Sequence, residues 1–350
     1  MRKMEIKLDA VYGQVKERID RVDFSRLWKG FHPFRFALYT DSECYFDGSY
    51  IQLTDDFCAN TSILFQGEYI AIWNLSEVPK DMDSLAASLI HEMFHAFQSA
   101  CGESRFPDER EAVFRYRYSG ENLSAKLREA ELIRNILEGA GNAGEAYRQL
   151  LSLRRRRAED YPYEYAYEAG VEQIEGTANY VEASALAQLD PEKGRAAWKR
   201  ILERISGPKN YFPVRIISYQ IGAAMIACVK RCSDTDCESF GERPLALEIL
   251  SRAQAATEPL PVDGDAERLV KEYLEQTHDL VQSAVRKNDR VLSGRFPLVS
   301  VNIWDARSEG NYVTSNLFLM YRDGEETKTI NGDFVVETDG DYHILTVYRK

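Results

Sequence analysis

The pentapeptide His91-Glu92-Met93-Phe94-His95 constrains this chain more than any other feature. It lies inside a run, DMDSLAASLIHEMFHAFQSACGE, whose apolar residues recur at a helical period. Leu85, Leu89, Met93 and Phe97, with Ala86, Ile90 and Phe94, share one broad face at a repeat of about 3.6 residues. Asp81 or Asp83 can cap the start of this helix, and Gly102 stands where its C-terminus should end. Residues i and i+4 project from the same side of a helix, so His91 and His95 can offer two imidazole nitrogens to one cation at about 2.0–2.1 Å. Glu92 lies about 100° further round, beside such a cation, where a carboxylate can take a proton from water without competing for the metal. Ser84, Ser88, His91, His95 and Ser99 fall near one line opposite the apolar stripe, and these small side chains leave room for a cleft.

The rest of the chain sets limits on what surrounds this helix. Its 350 residues are enough for two or three structural units, and 44% hydrophobic with 29% charged residues is a soluble globular composition. A formal net charge of -12 argues against a sequence-independent grip on nucleic acid, which depends on lysine and arginine displacing counterions. The one basic run, Arg154 to Arg157, is followed at once by Glu159 and Asp160 and reads as a solvated helix face or loop. The opening MRKMEIKLDAVYGQ lacks the apolar core of a secretory signal, and the longest apolar stretch, 216–229, is short for a membrane span and interrupted by Tyr219 and Gln220. A cytoplasmic protein that binds neither membrane nor nucleic acid is the expectation, with its six cysteines mostly free thiols. Cys228, Cys232 and Cys237 lack the paired CxxC spacing of a zinc ribbon.

Segments FRFALYT, CYFDGSYIQL and SILFQGEYIAIWN are β-rich and broken by Asp47-Gly48 and Gln66-Gly67, a hairpin pattern. Helical patterns follow near 121–138, 143–158, 163–189, 191–205, 211–232 and 266–288. From about residue 290, alternating segments joined by Asp-Gly and Asn-Gly turns predict antiparallel strands. The expected architecture is therefore α+β. A domain over 1–289, divided into a β-rich lobe (1–82) and a helical lobe (83–289), precedes a small antiparallel β module over 290–350.

Two histidines leave a catalytic metal site one protein ligand short. Residue 101, where a third histidine six residues on would fall, is a cysteine, and His32, His278 and His343 lie in unrelated contexts. Carboxylates are the alternative. In YEYAYEAGVEQIEGTANYVEASALAQL, Glu168, Glu172, Glu175, Asn179 and Glu182 line one helix face at steps of four, three, four and three. Gly176 and Ala178 thin the helix beside Glu175, so that a second helix can come close there.

The pair HEMFH and EGTANY resembles the gluzincin metallopeptidases, in which two helix-borne histidines are completed by a glutamate from a later helix. The aminopeptidase and leukotriene hydrolase branch carries that glutamate in Asn-Glu-Gly-x-Ala, and several bacterial zincins in Glu-Gly-x-Ala-x-Tyr. Glu175, Gly176, Ala178 and Tyr180 match, with Ile174 in place of the preceding asparagine. The resemblance implies a zincin-like fold, one Zn2+ held by His91, His95 and Glu175, and Glu92 as general base in peptide hydrolysis. Glu172, one turn earlier, is the substitute third ligand. The acid that often supports a zinc-bound histidine would fall at Asn179, an amide. The branch also has an oxyanion-stabilising tyrosine in Tyr-x-x-Gly, which SYQIGAAMIA matches through Tyr219, Gly222 and Ala223. Gluzincins further present an edge strand to the peptide backbone, a role that would fall to Ile70, Ala71, Ile72, Trp73 and Asn74. The Gly-x-Met-Glu-Asn signature that captures a free N-terminus is absent there, leaving endo- and exopeptidase action both open. Two other functions use much of the same chemistry: a zinc-holding scaffold that binds a peptide or partner without cleaving it, and a hydrolase of non-peptide amides or esters. The complete HEMFH favours an enzyme over a scaffold, which has no need of Glu92.

Overall fold

The computed structural model describes residues 7–76, 79–239, 242–252, 259–260 and 262–350. The chain starts with α1 (Leu8–Ile19), β1 (Phe36–Tyr39), β2 (Cys44–Phe46), β3 (Ser49–Ile51), β4 (Thr61–Phe65), β5 (Glu68–Asn74) and α2 (Met82–Ala100). Helices α3 (Glu109–Arg115), α4 (Gly120–Glu138), α5 (Ala143–Asp160) and α6 (Pro162–Val171) follow. A π turn at Glu172–Gly176 then leads into α7 (Thr177–Leu189), α8 (Pro191–Ser206), α9 (Val214–Cys232), α10 (Leu245–Arg252) and α11 (Gly264–Lys287). The chain closes with β6 (Arg290–Val301), β7 (Ser308–Glu309), β8 (Tyr312–Ser315), β9 (Phe318–Asp323), β10 (Glu326–Asn331), β11 (Phe334–Thr338) and β12 (His343–Arg349). The α+β class and the sequence of sheet, helical body and terminal sheet agree with the pattern read above. Among the described residues no helix is long and apolar enough to cross a membrane, and all six cysteines are free.

The residues divide into two compact units, and the division does not follow the expected boundary at 289/290. The first gathers the described residues up to Phe106 with Glu172–Glu203 and Tyr219–Ala246; the second gathers Pro107–Val171, Arg204–Ser218 and the described residues from Leu247 on. Four of the five boundaries, at 171/172, 203/204, 218/219 and 246/247, fall inside helical segments, where composition gives no signal, and the fifth, at 106/107, falls in the loop before α3.

In the first unit five strands run in the order β3-β2-β1-β5-β4. The expectation that residues 70–74 form the edge is corrected here. β5 pairs in parallel with β1 on one side and antiparallel with β4 on the other, so β4 is the outer strand. Ile70, Ala71 and Ile72 are all fully buried, as a continuous apolar run on an interior strand should be. The long-range parallel pairing with β1, which no hairpin signal announces, is what moves β5 inward. Ala37, Tyr39, Cys44, Phe46, Ile70 and Ile72 form the core on one face of the sheet.

Helix α2 is closed at both ends by its own sequence. Asp81 accepts from the Asp83 amide at 3.2 Å and from the Ser84 hydroxyl at 2.6 Å. At the other end Gly102 takes φ +75°, and the Glu103 amide donates back to Gln98 O at 2.9 Å, the six-to-one bond of a Schellman turn. Its apolar face packs aromatics edge-on, with Phe94 against Trp28 at 5.2 Å and against Phe31 at 5.1 Å.

In the second unit seven strands run in the order β10-β9-β6-β12-β11-β8-β7, with Val281 and Ala284 of α11 packed on Val335 and Tyr348. Gly324, at φ +62°, closes the β9-β10 hairpin. The basic run is not a solvated face: Arg154 and Arg157 are 1% exposed, while Arg155 and Arg156 stay outside. Arg157 donates to Glu129 at 2.9 Å, Glu168 at 2.7 Å and Asn122 at 2.8 Å, and Lys126 reaches Glu168 at 2.9 Å. Burial alone would raise the Glu168 pKa, but Arg157 and Lys126 hold it down to about 2. Helical spacing turns the first and last arginines of 154–157, at i and i+3, inward, a feature that four like charges in a row conceal.

Candidate metal centre

His91 and His95 stand one turn apart on α2, and the π turn brings Glu175 to them. Their ligating atoms lie within 4.8 Å of one another. His91 Nε2 is 3.1 Å from His95 Nε2, and Glu175 Oε2 is 3.8 Å from the first and 3.4 Å from the second. A tetrahedral ion with ligands at about 2.0–2.1 Å separates them from each other by about 3.3 Å. The three side chains are 11–17% exposed, so the cluster is largely shielded from solvent.

Hydrogen bonds behind the rings decide which nitrogens face inward. The Thr177 hydroxyl donates to Gln173 O at 2.6 Å, so its oxygen accepts from Gln98 Nε2 at 3.0 Å; the same amide donates to Ile174 O at 3.0 Å. Gln98 Oε1 is therefore an acceptor, and at 2.8 Å it takes a hydrogen from His95 Nδ1. A neutral His95 then carries its lone pair on Nε2, pointing at His91. On the far side Glu182 Oε2 stands 3.2 Å from His91 Nδ1, close enough for an ion pair though off hydrogen-bond alignment, and Ser88 holds Glu182 Oε1 at 2.9 Å. Both Nε2 atoms thus converge with a carboxylate oxygen, an arrangement satisfied either by a proton on His91 Nε2 donated to His95 Nε2 at 3.1 Å or by a cation between the three atoms.

The titration behaviour expresses the same demand. Burial opposes protonation of His91, yet Glu175 and Glu182 outweigh it and push its pKa up to about 10. Burial likewise acts to raise Glu182, and its interaction with His91 turns the balance downward. Glu92, 9% exposed, is raised, first by burial and then by nearby acids, against the pull of the two histidines. Three carboxylates around two imidazoles favour a dication, and the nitrogen–nitrogen–oxygen donor set with these separations fits zinc.

The structure groups Glu175, and not Glu172, with the histidines. Glu172 is 5% exposed and lies where α9 crosses the π turn. The supporting acid expected at Asn179 is instead Glu182, one helical turn later, and Asn179 makes no hydrogen bond to either imidazole among the described residues. Gln98 was not singled out by the sequence, although its place three residues after His95 puts it on the same helix face. The expected single helix over 163–189 is broken by the π turn, which separates Glu168 from the row: it belongs to the second unit's ionic cluster. Wide turns of this kind recur at functional sites.

The glycine beside Glu175 serves a helix other than the one expected. A Cβ at Gly176 would fall 2.5 Å from Gly222 Cα, so Gly176 admits α9, not α2. Tyr219, 8% exposed, lies one turn before Gly222 and so on the side of α9 that meets the π turn. Tyr180 takes a packing role, its ring 6.4 Å from Trp28 and 5.9 Å from Trp198, with Lys230 Nζ 4.5 Å above it. No protein-family model matches this chain, and neither a curated protein nor a solved structure matches it.

Proposed function

We propose that the first unit is a zincin-like catalytic domain that hydrolyses peptide bonds with one zinc ion held by His91, His95 and Glu175. The observation that carries this reading is the pair of Nε2 atoms 3.1 Å apart, both backed at Nδ1 by acceptors and facing one carboxylate. Zinc bound there supplies the Lewis acidity that activates a water molecule and polarises a carbonyl. Glu92, adjacent in sequence to one ligand and raised in pKa, takes the proton of the attacking water and hands it to the leaving amine. Gln98 and Glu182 keep the imidazoles turned inward and, in the case of Glu182, add basicity to His91. Tyr219 is the donor for the oxyanion, on a helix whose approach the two glycines permit. β4, the outer strand carrying the exposed Leu64, replaces β5 as the segment along which an extended peptide adds as a further strand.

Glu92→Gln tests the chemistry without touching the ligand set. The variant should keep one zinc per chain and lose about 100-fold or more of the cleavage that the native protein gives on a peptide library, cleavage that a chelator also abolishes. Retention of both zinc and full cleavage by the variant refutes the mechanism.

A further inference from the structure

We propose that the second unit holds a separate ligand site, one that takes a small oxyanion, a carboxylate or a phosphate ester, carrying a planar apolar body. A cleft of about 510 Å3 lies wholly within that unit, bordered by α3, the start of α9, α11 and the segment around β7. Its size falls in the range of about 300–1,000 Å3 usual for small-molecule sites. It shares no residue with the histidine cluster, so it stands or falls independently of the zinc reading.

Charge points to the class of ligand. Three guanidinium groups, Arg117, Arg215 and Arg307, line the cleft with a single carboxylate, Glu109. Glu109 is engaged on both oxygens, by Tyr167 Oη at 2.8 Å and Arg215 Nε at 3.0 Å. Among the described residues neither Arg117 nor Arg307 has a carboxylate within ion-pair distance; Arg307 lies 4.6 Å over the ring of Tyr273. Neither guanidinium is thus spent on an ion pair, although Glu164 accepts from the Arg117 amide at 3.1 Å and Asp305 lies two residues before Arg307. The first turn of α9 adds the positive end of a helix dipole at Val214, whose amide donates to Tyr118 Oη at 3.1 Å.

The walls point to the ligand's body. Tyr118 meets Tyr273 edge-on at 4.9 Å, and Tyr116 and Tyr167 continue the aromatic lining. Such surfaces bind a flat ring by stacking or edge contact while guanidinium groups grip its anionic end through paired N–H bonds.

The test uses the full chain in the presence of a chelator, so that an anion bound at the histidine cluster is not counted. Benzoate, phenyl phosphate and neutral benzamide are titrated by calorimetry and ligand-detected NMR. At least one of the two anions should bind saturably and about ten-fold or more tighter than benzamide, and the tighter of the two names the source of the oxyanion. Arg117→Gln and Arg307→Gln should each weaken it by about ten-fold or more; Arg117→Gln should leave the melting temperature unchanged, whereas Arg307→Gln also gives up its contact over the Tyr273 ring and should lower it slightly. Arg307→Lys, which keeps the charge and loses the planar fork, should fall between. The proposal is overturned if neither anion binds more tightly than benzamide up to about 5 mM, or if the double glutamine variant binds as the native protein does.

Discussion

Gly176→Ala is the sharpest structural perturbation of the metal centre that leaves every ligand in place. The added Cβ would lie 2.5 Å from Gly222 Cα, 3.0 Å from Gly222 C and 3.2 Å from Ala223 N, all backbone atoms that cannot swing aside. Carbon atoms in contact sit about 3.5–4.0 Å apart, so the π turn and α9 must part by about 1 Å. Overpacking of this kind costs about 1–3 kcal/mol of stability. The effect on metal binding should be larger than that cost implies, because Glu175 is the preceding residue and ligand distances tolerate only about 0.2 Å of error. Gly222→Ala, whose Cβ would meet Glu172 O and Gly176 Cα at 2.7 Å, should reproduce the defect from the other side. Gly13→Ala, in α1 with nothing within 4 Å, is the control and should be neutral or slightly stabilising. Urea denaturation gives the stability change, and competition with a chromophoric chelator gives the zinc affinity. If both variants keep native stability and a zinc affinity within about two-fold of native, the close helix crossing does not position Glu175 and the reasoning fails.

Three further outcomes follow from the same coordinates. Glu182→Gln and Gln98→Ala should each lower zinc affinity by about 10- to 100-fold in chelator competition while leaving the three ligands intact. In metal-free protein the His91 pKa is raised from 6.5 to about 10, so its stabilising contribution is complete below pH 6.5 and is lost as pH climbs through 10. The melting temperature of metal-free protein should therefore fall across that window, and His91→Gln should remove this component of the slope. Arg157→Ala, which leaves buried Glu168 to Lys126 and Glu129 to Arg154, should cost about 3 kcal/mol by urea denaturation, with no effect on zinc affinity per folded molecule.

The parts of the site legible in the sequence are those fixed by local periodicity. The i, i+4 spacing of His91 and His95, the Asp81 cap and the Gly102 stop all belong to one helix, and each follows from residues a few positions apart. Glu175 was reachable through the resemblance of EGTANY to the gluzincin glutamate motif; Gly176 beside it does mark a close approach, though the approaching helix proved to be α9. What escaped depended on phase and on distant pairing. The π turn shifts the register of the acid row, so that Glu182, not Asn179, meets an imidazole, and no propensity foretells a one-residue widening. The inward position of β5 comes from its partnership with β1, more than thirty residues away, a pairing that leaves its trace only in the unbroken apolar run 70–72. Gln98 reads as any polar helix residue until the carbonyls of the π turn and Thr177 fix which way its amide points.

The most direct test of the central claim is diffraction from crystals of the purified protein at wavelengths on either side of the zinc absorption edge. A single anomalous peak should lie about 2.0–2.1 Å from Nε2 of His91, Nε2 of His95 and a carboxylate oxygen of Glu175, and should vanish below the edge. Zinc-replete crystals with no peak among these three side chains, or with a peak held by other residues, would contradict it.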